Sequence, residues 1–426
     1  MNATLQQPTV RGWCPGALRP MESGDGLIVR IRPRAGAFRC AELTAVAELS
    51  MRYGNGHIDL TRRANLQLRG VTAASLPALW NGLRAHGLLD ANAEAESVRN
   101  VMVGPLAGID PAEIIDPRPI AERLEQGLAD HAALWRLPGK FGFAVDGGGR
   151  CGLDGERADI RLRADGIDGA APIAVGLDRA DGIDWLGHTG AIEAADVALY
   201  IARAFVAASI APRARMRDLP NQIYGTLRAR IAAQLSPLPG PHPLPNPSGR
   251  ELGVLDEAGK PFAVGLAAPF GRLEAASLRG LAEAAHRLGA VSLRPSPWRT
   301  LYAPVNGSAD ASALLAAGAA LGFIADARDP LLRIEACPGA PGCRSATFDA
   351  HAIARRIAPL LPDVGCRTCH ISGCAKGCAS SRVSELVLVG IEGGIGIARN
   401  STPREAPRVL LSPDRLEELR TLYATL

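Results

Sequence analysis

Short apolar runs bounded by turn residues alternate along this chain with longer stretches whose apolar positions recur every three or four residues. That is the pattern of a mixed α/β protein. LIVRIR (27–32) and FAVGLA (262–267) read as strands. LPGKFGFAVDGG (137–148) and ADIRLRADG (158–166) read as strands running into turns. Helical periodicity marks 41–51, 192–208 and 273–287, and also the C-terminal SPDRLEELRTLYATL, where Ser412 is placed to cap the first turn. The longest apolar stretch, 311–325, is Gly/Ala-rich and bounded by Asp310 and Asp326. It predicts a packed helix, since a membrane span needs about 20 apolar residues.

SPLPGPHPLPNPSG (236–249) carries a proline at every second position, which no helix or central strand tolerates. It predicts an extended linker dividing the chain in two. Segments 27–71 and 262–305 overlay almost without gaps: a strand, a helix ending at a glycine suited to its C′ position (Gly54; Gly289), a second strand, then arginines (Arg62 and Arg63; Arg294 and Arg299). The pattern fits a duplication and fits two unrelated β-α-β units equally well.

A net charge of +4 with 4% aromatic residues offers little to a nucleic acid or an anionic membrane. The N-terminal MNATLQQPTVRGWCPG has no charged segment followed by an apolar run, so the expectation is a cytoplasmic protein. Nine cysteines in that compartment point to metal or redox chemistry instead of disulfides. Of 47 basic residues only Lys140, Lys260 and Lys376 are lysines. Coding bias accounts for the general arginine excess and makes each surviving lysine more informative.

Cys337 and Cys343 stand in ACPGAPGC, and Cys374 and Cys378 in GCAKGC. Four thiolates from two Gly/Pro/Ala loops suit the four irons of a [4Fe–4S] cubane, with backbone close enough to donate N–H bonds to sulfur. Structural zinc is the alternative, and C-x5-C fits its compact knuckles poorly. CRTCH (366–370) matches the attachment motif of covalent haem, which belongs to exported proteins. Cys366 and Cys369 then read as buried thiols or substitute ligands, and His370 as a packed residue or a ligand of a second iron. The sequence assigns no chemistry to Cys14, Cys40 or Cys151.

The two cysteine loops followed by SELVLVG (384–390) resemble the sirohaem nitrite and sulfite reductase family. DGLIVRIRPRAG (25–36), GNGHIDLTRRANLQLRGV (54–71), SVRNVMVGP (97–105) and LPGKFGF (137–143) extend the resemblance over most of the chain. It implies an α/β (α+β) fold of two pseudo-repeated halves, each a ferredoxin-like half-domain with a larger α/β domain. The implied boundaries are 1–75, 76–235, the linker 236–250, 251–310, and a cluster domain at 311–426. It implies that Cys337, Cys343, Cys374 and Cys378 hold the cluster, with Cys378 at the bridging position. It further implies that Arg30, Arg63, Arg99 and Lys140, with Arg32 and Arg62 as neighbours, meet tetrapyrrole carboxylates. Arginine forks suit such carboxylates in bidentate geometry.

Three features depart from the reductases: the chain is short, their K-x-K has become Lys140–Phe141–Gly142, and the cluster loop reads A-K-G at Lys376. With the opening RGWCPGALRPMESGDGL (11–27), these resemble the precorrin-3B synthase branch. There the tetrapyrrole is substrate. The branch implies an oxygen-dependent monooxygenase using the cluster, a probable non-haem iron, NADH as ultimate electron source and an electron-donor protein. The alternative is an assimilatory nitrite or sulfite reductase carrying sirohaem. No catalytic residue is named by the sequence, and no pair of histidines advertises iron ligands.

Overall fold

A computed structural model of the protein describes residues 14–166, 171–208, 211–237, 249–361 and 365–425, so most of the proline-rich linker, 238–248, lies outside the described residues. Four five-stranded sheets organise them. Two are built by exchange between the halves of the chain. In the first, Met21–Ser23, Gly26–Ile31, Leu66–Val71 and His57–Leu60 pair antiparallel in that spatial order, and Arg272–Glu274 from the second half completes the edge. In the second, Gly253–Glu257, Lys260–Ala267, Thr300–Pro304 and Ser292–Pro295 repeat the order, and Phe38–Arg39 from the first half completes it.

A helix follows each exchanged strand, Cys40–Tyr53 and Ala275–Arg287, and the two pack against each other. Their buried faces carry Ala45 and Ala47, and Ala282 and Ala285, small enough for the helices to approach closely. One hydrophobic core runs through both, joining Val29, Leu43 and Leu66 to Val264, Leu281 and Leu301. The two half-domains are therefore one body.

The remaining sheets repeat each other strand for strand. Val101–Val103, Phe143–Asp146 and Ile160–Ala164 run parallel, then Ile173–Asp178 and Ile183–Thr189 add antiparallel. Ile334–Ala336, Cys369–Ser372 and Ser384–Ile391 run parallel, then Gly394–Ser401 and Val409–Leu411 add antiparallel. Each sheet has its own core under helices. The duplication left open by pattern is thus physical. The turn after the second half-domain strand even keeps a left-handed residue in the same place, Ala64 (φ 53°) and Arg299 (φ 61°).

Two local expectations change. Gly289 has the left-handed φ of a C′ residue (85°), whereas Gly54 is extended, and it is glycine because a Cβ there would come 2.5 Å from the Arg69 carbonyl oxygen. Ser412 does not cap the last helix: its hydroxyl bonds Asp414, and the helix proper runs from Leu419 to Thr425 after a 3₁₀ turn. Residues 311–320 of the apolar stretch lie in the helix Ser308–Ala320 and 321–325 run on past its end, and among the described residues no helix is long and apolar enough to cross a membrane.

Candidate functional site

The strands Ile334–Ala336 and Cys369–Ser372 lie side by side, and each delivers its chain into one cysteine loop at the same end of the sheet. Cys337 is buried, Cys343 and Cys374 are half-buried, and Cys378 is exposed. Cys378 feels the charge of Cys337, Cys374 and Cys343, and Cys374 that of Cys343 and Cys337. The Gly373 N–H donates to Cys337 Sγ at 3.2 Å. Gly339 (φ 66°) and Gly390 admit no Cβ, which would lie 2.2 Å from Ala350 N and 2.1 Å from Gly373 O, so the loops close tightly round the thiols.

Burial raises the thiol of Cys337, of Cys374, and of Cys378, the last to about 11. A bound cation's charge would hold these three as thiolates. Among the described residues no three His, Cys, Asp or Glu side chains converge tightly enough for a single metal ion. A zinc site needs that convergence, whereas a cubane offers an iron at each of four separate corners. The residues fit the cluster.

The first half-domain clamps these loops. Ser23 Oγ and Arg69 Nη2 donate to the Gly342 carbonyl at 2.6 and 2.7 Å, and Arg62 Nη1 lies 3.4 Å from Ser380 Oγ. Arg299 Nη1 meets Glu335 at 2.7 Å, and its Nη2 reaches the Ala379 carbonyl at 3.4 Å. A cavity of about 180 Å³ opens here, lined by Arg62, Arg250, Arg299, Arg382, Glu156 and Glu335.

The predicted cations divide into two groups. Arg30 donates to the Gln67 amide oxygen at 3.0 Å, with the amide oriented to accept, and meets the Cys14 thiol. Arg63 keeps a buried Nη1 with no partner. Burial lowers the pKa of both, because desolvation outweighs the nearest carboxylates, Glu96 for Arg30 and Asp159 for Arg63. Lys140 is exposed on the turn before Phe141. These three, with Arg62, are cations able to take an anionic ligand.

Arg99 and Arg32 are not, and here the sequence expectation is corrected. Arg99 is bidentate to Asp90 at 2.9 Å through Nε and Nη2, and its Nη1 donates to the Pro33 carbonyl at 2.7 Å. Arg32 meets Glu96 at 3.1 Å. All four side chains are almost wholly buried. Glu96 also takes the Leu18 N–H at 2.9 Å, and Asn100 bonds the Phe141 carbonyl, so SVRNV is a joint between half-domain and α/β sheet.

Motif reading also missed Asp159 and Arg215. Asp159, fully buried, accepts from Gly142 N at 2.9 Å, Met216 N at 2.9 Å and Arg215 Nε at 2.8 Å, holding the Gly142 turn beside Arg63. Nothing in RARMRDLP signals this; only the fold brings it to Asp159.

Of the remaining cysteines, Cys366 and Cys369 pack in the C-terminal core, where no haem has room to attach. Cys40 bonds the Ala290 carbonyl, and Cys151 lies 3.7 Å from Tyr302 Oη. His370 is wholly buried on the strand entering the cluster loop, and neither ring nitrogen has a partner. Desolvation lowers its pKa to about 4, so the ring is neutral.

The first α/β sheet shows what the same scaffold looks like without thiols. Gly104 N bonds Val145 O as Cys337 N bonds Ile371 O, and Ile114 N bonds Gly147 O as Thr347 N bonds Gly373 O. This register places Gly104, Asp110, Gly148 and Gly152 where Cys337, Cys343, Cys374 and Cys378 stand in the other copy. Asp110 fills its loop by accepting the Arg150 N–H.

Comparison with known proteins agrees with this layout. Residues 19–86 match the nitrite/sulfite reductase ferredoxin-like half domain, and 94–166 match the nitrite and sulphite reductase 4Fe-4S domain. The second match falls on the copy without the four cysteines. A precorrin-3B synthase of Sinorhizobium sp is 34% identical over 411 residues, which is 93% of this chain and 84% of that protein. A ferredoxin–nitrite reductase of Synechococcus elongatus is 33% identical over 147 residues, 33% of this chain and 28% of that enzyme. The Mycobacterium tuberculosis NirA protein shares the fold, with a TM-score of 0.76 at 19% identity over 94% of this chain and 80% of its own.

Proposed function

Since the chain belongs to the nitrite/sulfite reductase-like family that includes precorrin-3B synthase, we propose that it is an oxygen-dependent monooxygenase of aerobic cobalamin biosynthesis. Its reaction would be the hydroxylation of precorrin-3A at C20 with γ-lactone formation, giving precorrin-3B. The observation that carries this reading over a reductase is Gly142. In the reductases the second lysine of K-x-K helps bind the small anion and supply protons. Here the position is a glycine, and a Cβ on it would lie 2.8 Å from Arg63 Nη1, so a lysine side chain would find room only by moving the free end of Arg63.

Arg30 and Arg63, with Arg62 and Lys140 beside them, would receive the carboxylates of the macrocycle. Burying these under-paired guanidinium groups is costly unless an anion joins them, so substrate binding recovers what folding spends there. Fixing the ring edge in this way supplies part of the rate by orientation. Cys337, Cys343, Cys374 and Cys378 would hold the [4Fe–4S] cluster, whose chemistry is to pass single electrons from a reduced donor, with NADH as their ultimate source. For the second iron implied by the resemblance, the described residues offer no ligand triad.

The test is anaerobic purification, acid extraction of any macrocycle and its absorption spectrum. Iron and sulfide with no extracted sirohaem is the expected result. About one sirohaem per chain would refute the monooxygenase and make the protein a nitrite or sulfite reductase.

A further inference from the structure

Along the strand Cys369–Ser372, side chains alternate between two faces. Cys369 and Ile371 enter the C-terminal core, while His370 and Ser372 point to the opposite face, which carries the cysteine loops. Ser372 already serves those loops: its hydroxyl donates to the Cys374 carbonyl at 2.7 Å and it also hydrogen-bonds Cys337. His370 is its neighbour on that face. Glu335 and Val387 flank it across the two parallel pairings. Its Cε1 lies 3.5 Å from where a Cβ on Gly377 would stand, and Gly377 (φ 63°) is the residue that turns the chain into Cys378. The imidazole is thus packed directly under the Ala375–Cys378 loop.

His370 is 0% exposed, and no hydrogen bond reaches Nδ1 or Nε2. A neutral imidazole always carries one N–H, and a buried N–H demands an acceptor. Glu335, the carboxylate opposite it across the strands, is ion-paired to Arg299 at 2.7 Å, and its buried Oε2 makes no hydrogen bond to the ring. Among the described residues no acceptor reaches the ring, and the loop packed over it is the one that carries Cys374 and Cys378.

We propose that His370 is a positioning residue for the cluster, donating its N–H to a sulfur at the Cys374–Cys378 edge and thereby raising the cluster's reduction potential. Hydrogen bonds to sulfur favour the reduced, more negatively charged state. This inference rests on the four-cysteine reading, and the experiment separates the two.

The measurement is spectroelectrochemical titration of the anaerobically purified full chain, with iron and sulfide assayed on the same samples, for wild type, His370→Leu and His370→Gln. Leucine removes the donor at similar volume, and glutamine keeps an N–H. The expected result is equal iron and sulfide in all three, with His370→Leu shifted about tenfold toward the oxidised form, which is about 59 mV for a one-electron couple. His370→Gln should recover most of that shift. Iron and sulfide missing from the wild type would sink the cluster reading itself. A loaded His370→Leu with unchanged potential would overturn the proposal alone. Loss of the cluster in both variants would also overturn it, by making His370 a packing residue.

Discussion

Replacing Arg99 by glutamine should damage the fold and leave ring binding almost untouched. The two side chains of the Arg99–Asp90 pair are 3% and 6% exposed, and the contact is bidentate at 2.9 Å. Removing one partner of a buried pair leaves the other charge uncompensated, at about 3–5 kcal/mol. Two features set the expectation at the lower end. Arg34 Nη1 stands 2.9 Å from the same Asp90 oxygen and keeps one cation beside it. Glu125, 3.9 Å from Arg99, has been pushed up to about 7 by burial, so it can shed its charge cheaply once the arginine is gone. A loss of about 3 kcal/mol is therefore expected, and Asp90→Asn in the Arg99→Gln background should cost less than the two single changes added together. Urea titration followed by circular dichroism and tryptophan fluorescence measures this, read against the wild type because a chain with several cores need not unfold in one step. Affinity for a uroporphyrin-type ring such as sirohydrochlorin, titrated by fluorescence, should stay within about twofold, under 0.5 kcal/mol. A stability loss below about 1 kcal/mol together with a tenfold or larger loss of ring affinity would refute the reasoning and return Arg99 to the ring face.

Cys374→Ser should lose the broad visible absorbance of the cluster along with its iron and sulfide, whereas Cys369→Ser, altering a thiol in the C-terminal core, should keep both; iron retained at full content in Cys374→Ser would remove that ligand assignment. Gly142→Lys should fold yet bind the same ring about tenfold more weakly, near 1.4 kcal/mol, because its Cβ displaces the free end of Arg63; unchanged affinity would show that Arg63 does not hold the ring. Glu125 supplies a pH dependence with a definite sign. Desolvation raises its folded pKa to about 7 from 4.5, so its contribution is fully present below pH 4.5 and is lost as the pH rises to 7. Glu125→Gln should flatten the fall in stability across that window; urea midpoints with the same slope as the wild type would show that the carboxyl is not protonated in the fold.

Much of this could be read from the chain itself because it is written locally. Cysteine spacing, the strand-type runs and the proline-rich segment are each short-range patterns with one dominant physical cause. The four cysteines stood out as candidate cluster ligands because glycine-rich loops around paired cysteines have few other uses. The arginines were harder. Arg63 and Arg99 look alike as arginines in polar segments, and what separates them is that a carboxylate pairs Arg99 directly whereas Arg63 keeps an Nη1 with no partner. Asp90 and Glu96 precede Arg99 closely in sequence, yet only the burial of their side chains shows that they consume the cations. The strand exchange was illegible for a related reason. Phe38–Arg39 and Arg272–Glu274 are two or three residues long, and their partners lie more than 200 residues away. His370 stood out in the sequence through a haem-attachment motif and as a candidate ligand of a second iron, and neither reading speaks of its buried, unpartnered ring.

The exchanged strands also carry a history. Each half-domain borrows its edge from the other, so neither is complete alone, and the arrangement has the approximate twofold relation of a swapped homodimer. Joining two such subunits in one polypeptide makes their interface permanent and lets the copies diverge, since a mutation now strikes one subunit and spares the other. Gly104, Asp110, Gly148 and Gly152 record that divergence: the two copies keep one scaffold, and only one of them carries the four cysteines. Coexpressing residues 1–240 and 241–426 as separate chains should accordingly rebuild one soluble heterodimer, while either piece expressed alone, with half of the shared core bare, should aggregate.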